Sequence, residues 1–242
     1  RYEIKKIRND FSYKAETHNF PTGISPFPGA ATGVGGRIRD TICVGKGGDI
    51  IAGTAGYCVG LIYQDLYNNK DNQNINNRKT NVNNDYYSFL HNRPLDILIE
   101  ASNGASDYGN KIGEPIIQGF CRSFGQKYMK IYNNNHDENQ NNTVKNKPCR
   151  IEWLKPIMFS GGMGKIYHYN THKNEPKYGN IIMRLGGPAF RIGLGGGTAS
   201  SREQDDKNKD SDFNAVQRGD PEMANKLVRF VRRLNYINVI NN

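Results

Sequence analysis

The stretch from Gly29 to Asp40, GAATGVGGRIRD, constrains the fold most, because four of its first eight residues are glycine. Each glycine costs about 1 kcal/mol relative to alanine inside a helix, so the run from Gly29 to Gly36 is not expected to form a stable helix alone. Closely spaced glycines also let backbone N–H groups approach an anion. The sequence therefore predicts a phosphate-binding loop that leads into a helix near Arg37. The alternative is a tight connection that needs positive φ angles.

Two common nucleotide-binding patterns do not match this stretch. A P-loop needs Gly-Lys followed by Ser or Thr, whereas Gly164-Lys165 is followed by Ile166. The glycine spacing also fails the dinucleotide pattern G-x-G-x-x-G. Asp40, at the end of the stretch, offers a carboxylate that could share a magnesium ion with Glu16.

An alternating segment precedes the glycine-rich stretch and carries Lys14, Glu16 and His18. Side chains two positions apart in a strand lie on the same face. One edge then offers an ammonium group for phosphate, a carboxylate for a hard cation and an imidazole for proton transfer. The alternative interpretation is a solvated strand face with a Lys–Glu pair.

The clearest helix of the sequence begins at Asp220-Pro221-Glu222, where Asp suits the N-cap and Pro the first turn. Apolar residues recur with helical spacing, so one face is expected to pack on a core. These residues are Met223, Leu227, Phe230, Val231 and Leu234. Gln217, just before this helix, could supply a specificity-determining amide.

Apolar segments bounded by Gly and Pro predict strands near 41–44, 51–60, 95–101, 115–122, 156–160 and 180–185. Two Asn-rich tracts, near 64–92 and 133–147, cannot bury enough apolar surface to offset their ordering entropy, so they are interpreted as surface insertions. A polar segment near 168–178 predicts a division into residues 1–170 and residues 171–242.

The net charge of +10 raises the question of a nucleic-acid partner, because clustered Lys and Arg neutralise phosphates. The basic residues are scattered, and the densest group, Lys226, Arg229, Arg232 and Arg233, lies on the predicted C-terminal helix. No nucleic-acid partner is therefore expected, and a positive field also suits a site for anionic phosphates.

The four cysteines, Cys43, Cys58, Cys121 and Cys149, have no C-x-x-C spacing and are expected to be mostly buried free thiols. No apolar stretch approaches the length of a membrane span, and the start of the chain is unlike a signal peptide. The sequence thus predicts a cytoplasmic protein without membrane contact.

Six segments, taken in order, resemble the phosphoribosylformylglycinamidine synthase family. They are KAETHNFPTGISPFPGAATGVGGRIRD, AGTAGYC, EASNGASDYGNKIGEP, KPIMFSGGMG, GLGGGTASS and AVQRGDPEM. Together they cover most of the chain outside the Asn-rich tracts. Many members of the family read ETHNHP where this chain has Phe20, a form that resembles eukaryotic members.

The resemblance implies an α/β fold like that of aminoimidazole ribonucleotide synthetase, with a mixed sheet and the start of a second α/β domain. It implies a carbon–nitrogen ligase of purine biosynthesis that amidates formylglycinamide ribonucleotide. In that reaction ATP phosphorylates the amide oxygen to an iminophosphate, and ammonia from glutamine displaces the phosphate. The implied cofactors are ATP and Mg²⁺.

The resemblance also assigns site residues by position. His18 and Lys14 are implied to be catalytic, Glu16 and Asp40 to bind magnesium, and Gln217 and Asn110 to bind substrate. The implied ATP-binding residues are Gly29, Ala30, Ala31, Thr32, Gly33, Val34, Gly35, Gly36, Arg37, Ile38, Arg39 and Asp40.

The family's glutaminase domain has no counterpart here, so ammonia is expected from a domain outside this chain, which would pack against the remaining synthetase domains. The chain alone is expected to be inactive or severely impaired. Two alternatives remain open: a non-catalytic or degenerate nucleotide-binding module, and another ATP-dependent synthetase of the same superfamily.

Overall fold

The computed structural model describes residues 6–62, 92–132, 145–187 and 206–236, together with Ile4 and Ser201. The Asn-rich tracts lie almost wholly outside these ranges, as does most of the glycine-rich segment 193–201. The end of the second tract is described, and residues 145–147 belong to a strand.

The described elements include both strands and helices, as an α/β fold requires. The strands are β1 (Asn9–Thr17), β2 (Asp49–Val59), β3 (Ile116–Ser123), β4 (Gly125–Tyr132), β5 (Lys145–Glu152) and β6 (Ile157–Tyr167). The α-helices are α1 (Asn19–Ile24), α2 (Pro26–Ile42), α3 (Pro94–Ile112), α4 (Lys209–Ala215) and α5 (Pro221–Tyr236), and short 3₁₀ turns span His168–Asn170 and Asp206–Asn208.

The main sheet has the strand order β1-β6-β2-β3. Strand β6 pairs antiparallel with both β1 and β2, whereas β2 and β3 are parallel. A parallel pair needs a crossover connection, and α3 lies between β2 and β3 in the chain. The mixed sheet predicted from the resemblance is therefore confirmed. Strands β4 and β5 form a separate antiparallel hairpin.

Helix α2 contains all four glycines of the run that was predicted to be a loop, so that prediction is wrong. The glycines are tolerated because neighbouring groups occupy the space of the missing side chains. A Cβ atom at Gly29 would lie 2.5 Å from the Pro21 carbonyl carbon, and one at Gly35 would lie 2.5 Å from Tyr108 Cζ. Close packing thus offsets the low helix propensity of glycine.

Helix α3 replaces the strand predicted at 95–101. Its buried positions Ile97, Ala101, Ala105, Tyr108 and Ile112 are spaced four, four, three and four residues apart, which is the spacing of one helical face. Pro94 stands in the first turn and Gly113 ends the helix in the left-handed conformation, with φ 85°. Both are standard helix-boundary residues.

The strands predicted near 51–60, 115–122 and 156–160 are confirmed as β2, β3 and β6, of which β6 continues to Tyr167. The strand predicted at 41–44 is wrong, because Thr41 and Ile42 end α2. Residues 180–185 belong to no helix or strand.

The core lies between the helices and the sheet. Its fully buried members include Ala30, Val34 and Ile38 from α2, Ala101 from α3 and Met158 from β6. Apolar positions of α2 repeat every four residues, so one stripe of the helix faces this core.

Helix α5 is confirmed with the predicted cap. Asp220 Oδ1 accepts hydrogen bonds from the backbone N–H groups of Glu222 and Met223, each 3.0 Å long. Val228 is the buried contact of this helix with the core, whereas Phe230 is 38% exposed, contrary to the predicted apolar face.

Among the three cysteines whose side chains are described, all are free thiols. Cys58 is buried as predicted, whereas Cys43 and Cys121 are exposed. Of the helices in the described ranges, none combines the length and apolar character needed to cross a membrane.

Candidate functional site

Lys14, Glu16 and His18 lie along one edge of β1 and its exit, against the side of α2. Lys14 Nζ is 2.9 Å from Asp40 Oδ2 at one end of the contact. His18 Nδ1 is 2.5 Å from the Gly29 carbonyl oxygen at the other end. The structure therefore brings the strand residues and α2 together, as the sequence analysis expected for Glu16 and Asp40.

Two glycines of α2, Gly33 and Gly36, lie between these two contacts. A Cβ atom at Gly33 would lie 2.8 Å from His18 Cβ, so a larger residue there would displace the imidazole. Gly36 is more open: its Cβ would lie 3.7 Å from Arg39 Nη2 and 3.8 Å from Glu16 Oε2. The Glu16 carboxylate, the Arg39 guanidinium and the His18 imidazole thus lie around two α2 positions, Gly33 and Gly36, that carry no side chain.

His18 is held in one tautomer by its contact with Gly29. A carbonyl oxygen only accepts hydrogen bonds, so Nδ1 carries the proton and Nε2 has a free lone pair. Burial lowers the pKa of His18, and Arg39 acts in the same direction, while the Gly29 carbonyl and Glu16 oppose the shift. The imidazole is therefore neutral near pH 7 and can accept a proton at Nε2.

Asp40 is already paired with Lys14, whose pKa is raised by the hydrogen bond and the charge of that carboxylate. Glu16, the other predicted magnesium ligand, lies on the same side of α2. In the described ranges, no three His, Cys, Asp or Glu side chains are grouped closely enough to hold a metal ion. Magnesium commonly uses only one or two protein carboxylates together with substrate phosphates, and magnesium binding by Glu16 and Asp40 stays a prediction.

The predicted ATP-binding stretch, residues 29–40, lies wholly within helix α2. Most of its residues are buried in the core: Gly29, Ala30, Ala31, Thr32, Gly33, Val34, Gly35, Arg37 and Ile38. Their backbone N–H groups lie inside a helix, so they do not form the predicted anion-binding loop. Gly36, Arg39 and Asp40 keep exposed surface, and ATP binding by residues 29–40 stays a prediction.

Arg37 precedes Asp40 by three residues on α2, and its side chain enters the interior against the sheet and contacts Glu114, the residue after the α3 cap. Both side chains are fully buried. The guanidinium binds the carboxylate with two parallel hydrogen bonds, of which Nη1–Oε1 is 2.5 Å long. Arg37 therefore pairs inside the protein and is not available to contact a nucleotide. Sequence reasoning missed Glu114, although a lone acid between glycine and proline is an unusual neighbour for an apolar strand.

Gln217 reaches the site region through its backbone. Thr32 Oγ1 donates to the Gln217 carbonyl oxygen over 2.8 Å and accepts from Gly219 N over 3.0 Å. The Gln217 side chain is exposed. Asn110 lies in the last turn of α3, where its amide donates to Ser106 Oγ over 3.4 Å. The described contacts do not bring Asn110 to β1, and both substrate-binding assignments stay predictions.

Tyr108 was missed by sequence reasoning and lies between α2 and the segment before α5. Its ring fills the space above Gly35 and lies 3.2 Å from a Cβ position at Gly219. The hydroxyl is buried without a hydrogen-bond partner among the described residues. Burial raises the pKa of Tyr108, and the nearby Arg39 charge opposes that rise.

Comparisons with known proteins agree with this fold. Residues 177–241 match the family model described as AIR synthase related protein, C-terminal domain. A solved structure of Thermotoga maritima PurL complexed with ATP has a TM-score of 0.53 and 18% identity, covering 96% of this chain and 26% of that chain. PurL complexed with FGAR gives the same TM-score and identity, over 96% of this chain and 29% of that chain. The chain therefore has an α/β fold of the aminoimidazole ribonucleotide synthetase type.

Curated relatives identify the family more narrowly. Phosphoribosylformylglycinamidine synthase of Dictyostelium discoideum is 50% identical over 222 residues, which are 91% of this chain and 14% of the relative. The Homo sapiens enzyme is 47% identical over 234 residues, 96% of this chain and 16% of the relative. The probable chloroplastic or mitochondrial enzyme of Arabidopsis thaliana is 47% identical over 92% of this chain and 14% of the relative. The chain belongs to the phosphoribosylformylglycinamidine synthase family and corresponds to a minor part of its members' length.

Proposed function

We propose that this chain supplies the ATP-handling part of an enzyme that converts formylglycinamide ribonucleotide to formylglycinamidine ribonucleotide. The observation that carries the proposal is the alignment of Lys14, Glu16 and His18 along α2, with Lys14 bound to Asp40. Similar chains are named for this synthase, and the solved PurL structures of like fold are described with ATP and with FGAR. These similarities support ATP and formylglycinamide ribonucleotide as the two proposed substrates.

Each side chain of the alignment has a role that follows from its chemistry. Lys14 offers a positive charge for phosphate oxygens. Glu16 and Asp40 would hold Mg²⁺, which supplies charge neutralisation on the phosphates when it is bound. His18 is neutral and accepts a proton at Nε2 from the ammonia that attacks the activated amide carbon and displaces phosphate.

Magnesium-dependent nucleotide binding tests the proposal. Isothermal titration of the 242-residue chain with ATP, with and without MgCl₂, should show magnesium-dependent binding that Glu16→Ala weakens at least about ten-fold. Glu100→Ala removes an exposed acid of α3 and serves as the matched control. Equal affinities for the wild type and Glu16→Ala would contradict the assigned site.

A non-catalytic nucleotide-binding module is the second candidate, because Lys14 already neutralises Asp40 in the described structure. In that case Glu16→Ala has no magnesium-dependent binding to remove. Another ATP-dependent synthetase of the superfamily would bind ATP but show no heat with formylglycinamide ribonucleotide.

We further propose that glutamine is the ammonia source and that its glutaminase domain lies in the remainder of the synthase, against which this chain packs. The exposed aromatic side chains Phe11 and Tyr13 of β1, 61% and 78% exposed, offer apolar surface for such packing. The purified chain should not hydrolyse glutamine in the presence of ATP. Turnover by the chain alone would contradict this arrangement.

A cytoplasmic location is part of the same proposal. Free thiols at Cys43, Cys58 and Cys121 suit a reducing compartment. Cell fractionation of the parent protein would test it, and recovery in an organelle would contradict it.

A further inference from the structure

The buried ion pair between Arg37 and Glu114 carries a desolvation cost that well-packed apolar residues would avoid. Both side chains have no exposed surface, and moving two charges out of water carries a large desolvation cost. Well-packed apolar residues of similar size often replace such pairs without loss of stability. The pair therefore calls for an explanation besides stability.

The main sheet has glycines at two positions that lie against the Arg37 guanidinium. A Cβ atom at Gly53 of β2 would lie 2.7 Å from Arg37 Nη2, and one at Gly162 of β6 would lie 2.7 Å from Arg37 Cζ. Ser160 Oγ accepts from Arg37 Nε over 3.4 Å. Two adjacent strands thus omit their side chains where the planar group enters.

The geometry of this contact fixes α2 in two respects. A two-bond guanidinium–carboxylate pair allows only one relative orientation, so the helix cannot rotate about its axis without breaking it. The rise of an α-helix is about 1.5 Å and its turn about 100° per residue. A slip of one residue would therefore carry Asp40 away from Lys14 and Gly29 away from His18.

We propose that Arg37 and Glu114 are positioning residues that set the rotation and axial position of α2, so that the stripe formed by Gly29, Gly33, Gly36 and Asp40 lies along Lys14, Glu16 and His18. The two contacts at the ends of that stripe are the ones measured above, Lys14–Asp40 and His18–Gly29. The consequence for catalysis rests on the proposed function, whereas the alignment itself does not.

The decisive variant replaces the pair by apolar residues, Arg37→Met with Glu114→Leu, in the whole 242-residue chain. The His18 tautomer is read from the ¹⁵N chemical shifts of its ring nitrogens, assigned with His18→Gln, and ATP affinity is measured by titration calorimetry with MgCl₂. We expect cooperative unfolding near the wild-type temperature. We also expect a mixed His18 tautomer and ATP affinity at least about ten-fold weaker.

Arg37→Lys is the conservative variant. It keeps the charge but replaces the planar two-bond contact with a point charge, so an intermediate His18 signature and an intermediate affinity are expected. Asp107→Asn breaks the exposed Lys111–Asp107 pair on α3, 2.9 Å long, and should leave both readouts at wild-type values.

The outcomes separate the positioning role from a purely structural one. A folded apolar double variant with wild-type tautomer and affinity would overturn the proposal. Failure of that variant to fold would also overturn it, because the pair would then support the fold as a whole. If the wild type binds no ATP but the His18 tautomer responds as expected, the positioning role stands and the proposed function fails.

Discussion

Two ion pairs made by neighbouring positions of α2 show how differently the same chemistry is used. The Arg37–Glu114 pair has no exposed surface on either side chain, whereas Lys14 and Asp40 are 41% and 53% exposed. Arg37 and Asp40 are only three residues apart in sequence. The inner pair is enclosed by strands that lack side chains at Gly53 and Gly162, and the outer pair faces solvent.

The difference teaches that a basic or acidic residue in a glycine-rich stretch cannot be given a ligand role from its position alone. Solvent screens the outer pair, so its value to stability is small, and its charges remain accessible to a ligand. The inner pair interacts strongly but has no access to a ligand. A buried and an exposed charge therefore occupy one helix only three residues apart.

The largest expected effect is the loss of the inner acid. Glu114→Ala leaves the buried Arg37 charge uncompensated, and we expect the free energy of unfolding to fall by about 3–5 kcal/mol. Urea denaturation followed by circular dichroism measures the change.

Asp40→Asn is the matched control for the outer pair and should leave the urea midpoint unchanged. If the two variants lose equal stability, the distinction between the inner and outer pairs is wrong.

Neighbouring glycines of α2 give the second comparison. Gly35→Ala would place a methyl group 2.5 Å from Tyr108 Cζ, and we expect a loss of about 1–3 kcal/mol from overpacking. Gly36→Ala meets its first neighbours at 3.7 Å, and improved helix propensity should stabilise the protein by roughly 0.5–1 kcal/mol. Thermal unfolding of both variants checks the opposite signs, and equal signs would contradict the packing described for this helix.

The smallest expected effect is a pH dependence of the free energy of unfolding that arises from His18. The pKa of His18 in the folded protein is lowered below 6.5, chiefly by burial. The unfolded state then binds more protons as the pH falls below about 6.5, so stability decreases with acidification. The loss ends once the pH passes below the folded pKa. Urea titrations between pH 7.5 and 4.5 should show a shallower slope for His18→Asn, whose amide can still donate to Gly29. Parallel profiles would contradict the lowered pKa.

Much of the sheet was predictable from the sequence. Strand β1 alternates, and β2, β3 and β6 are apolar runs bounded by glycine or proline. The cap of α5 at Asp220 was predictable because an N-cap acts locally. These features depend on neighbours in sequence, which a single sequence displays.

The two central helices were harder to predict because tertiary contacts decide them. In α2, the glycine propensity is overridden by His18, Pro21 and Tyr108, which occupy the space where side chains would stand. In α3, the apolar run 95–101 is too short to distinguish strand from helix by periodicity. The shared side of Lys14, Glu16 and His18 along β1 was predicted, but the pairing of Arg37 was not, since Glu114 is 77 residues away. The division at residue 170 stays a prediction.

The double hydrogen bond of Thr32 also has a consequence for synthesis on the ribosome. Thr32 and its partner Gln217 are separated by 185 residues, which take roughly 10–40 s to translate at about 5–20 residues per second. Throughout that interval the Thr32 hydroxyl and the apolar surface of Phe20 and Ile24, later covered by Val216, have no partner from residues 216–219. The region around Thr32 therefore emerges with apolar surface uncovered, and that surface is covered only when residues 216–219 leave the exit tunnel.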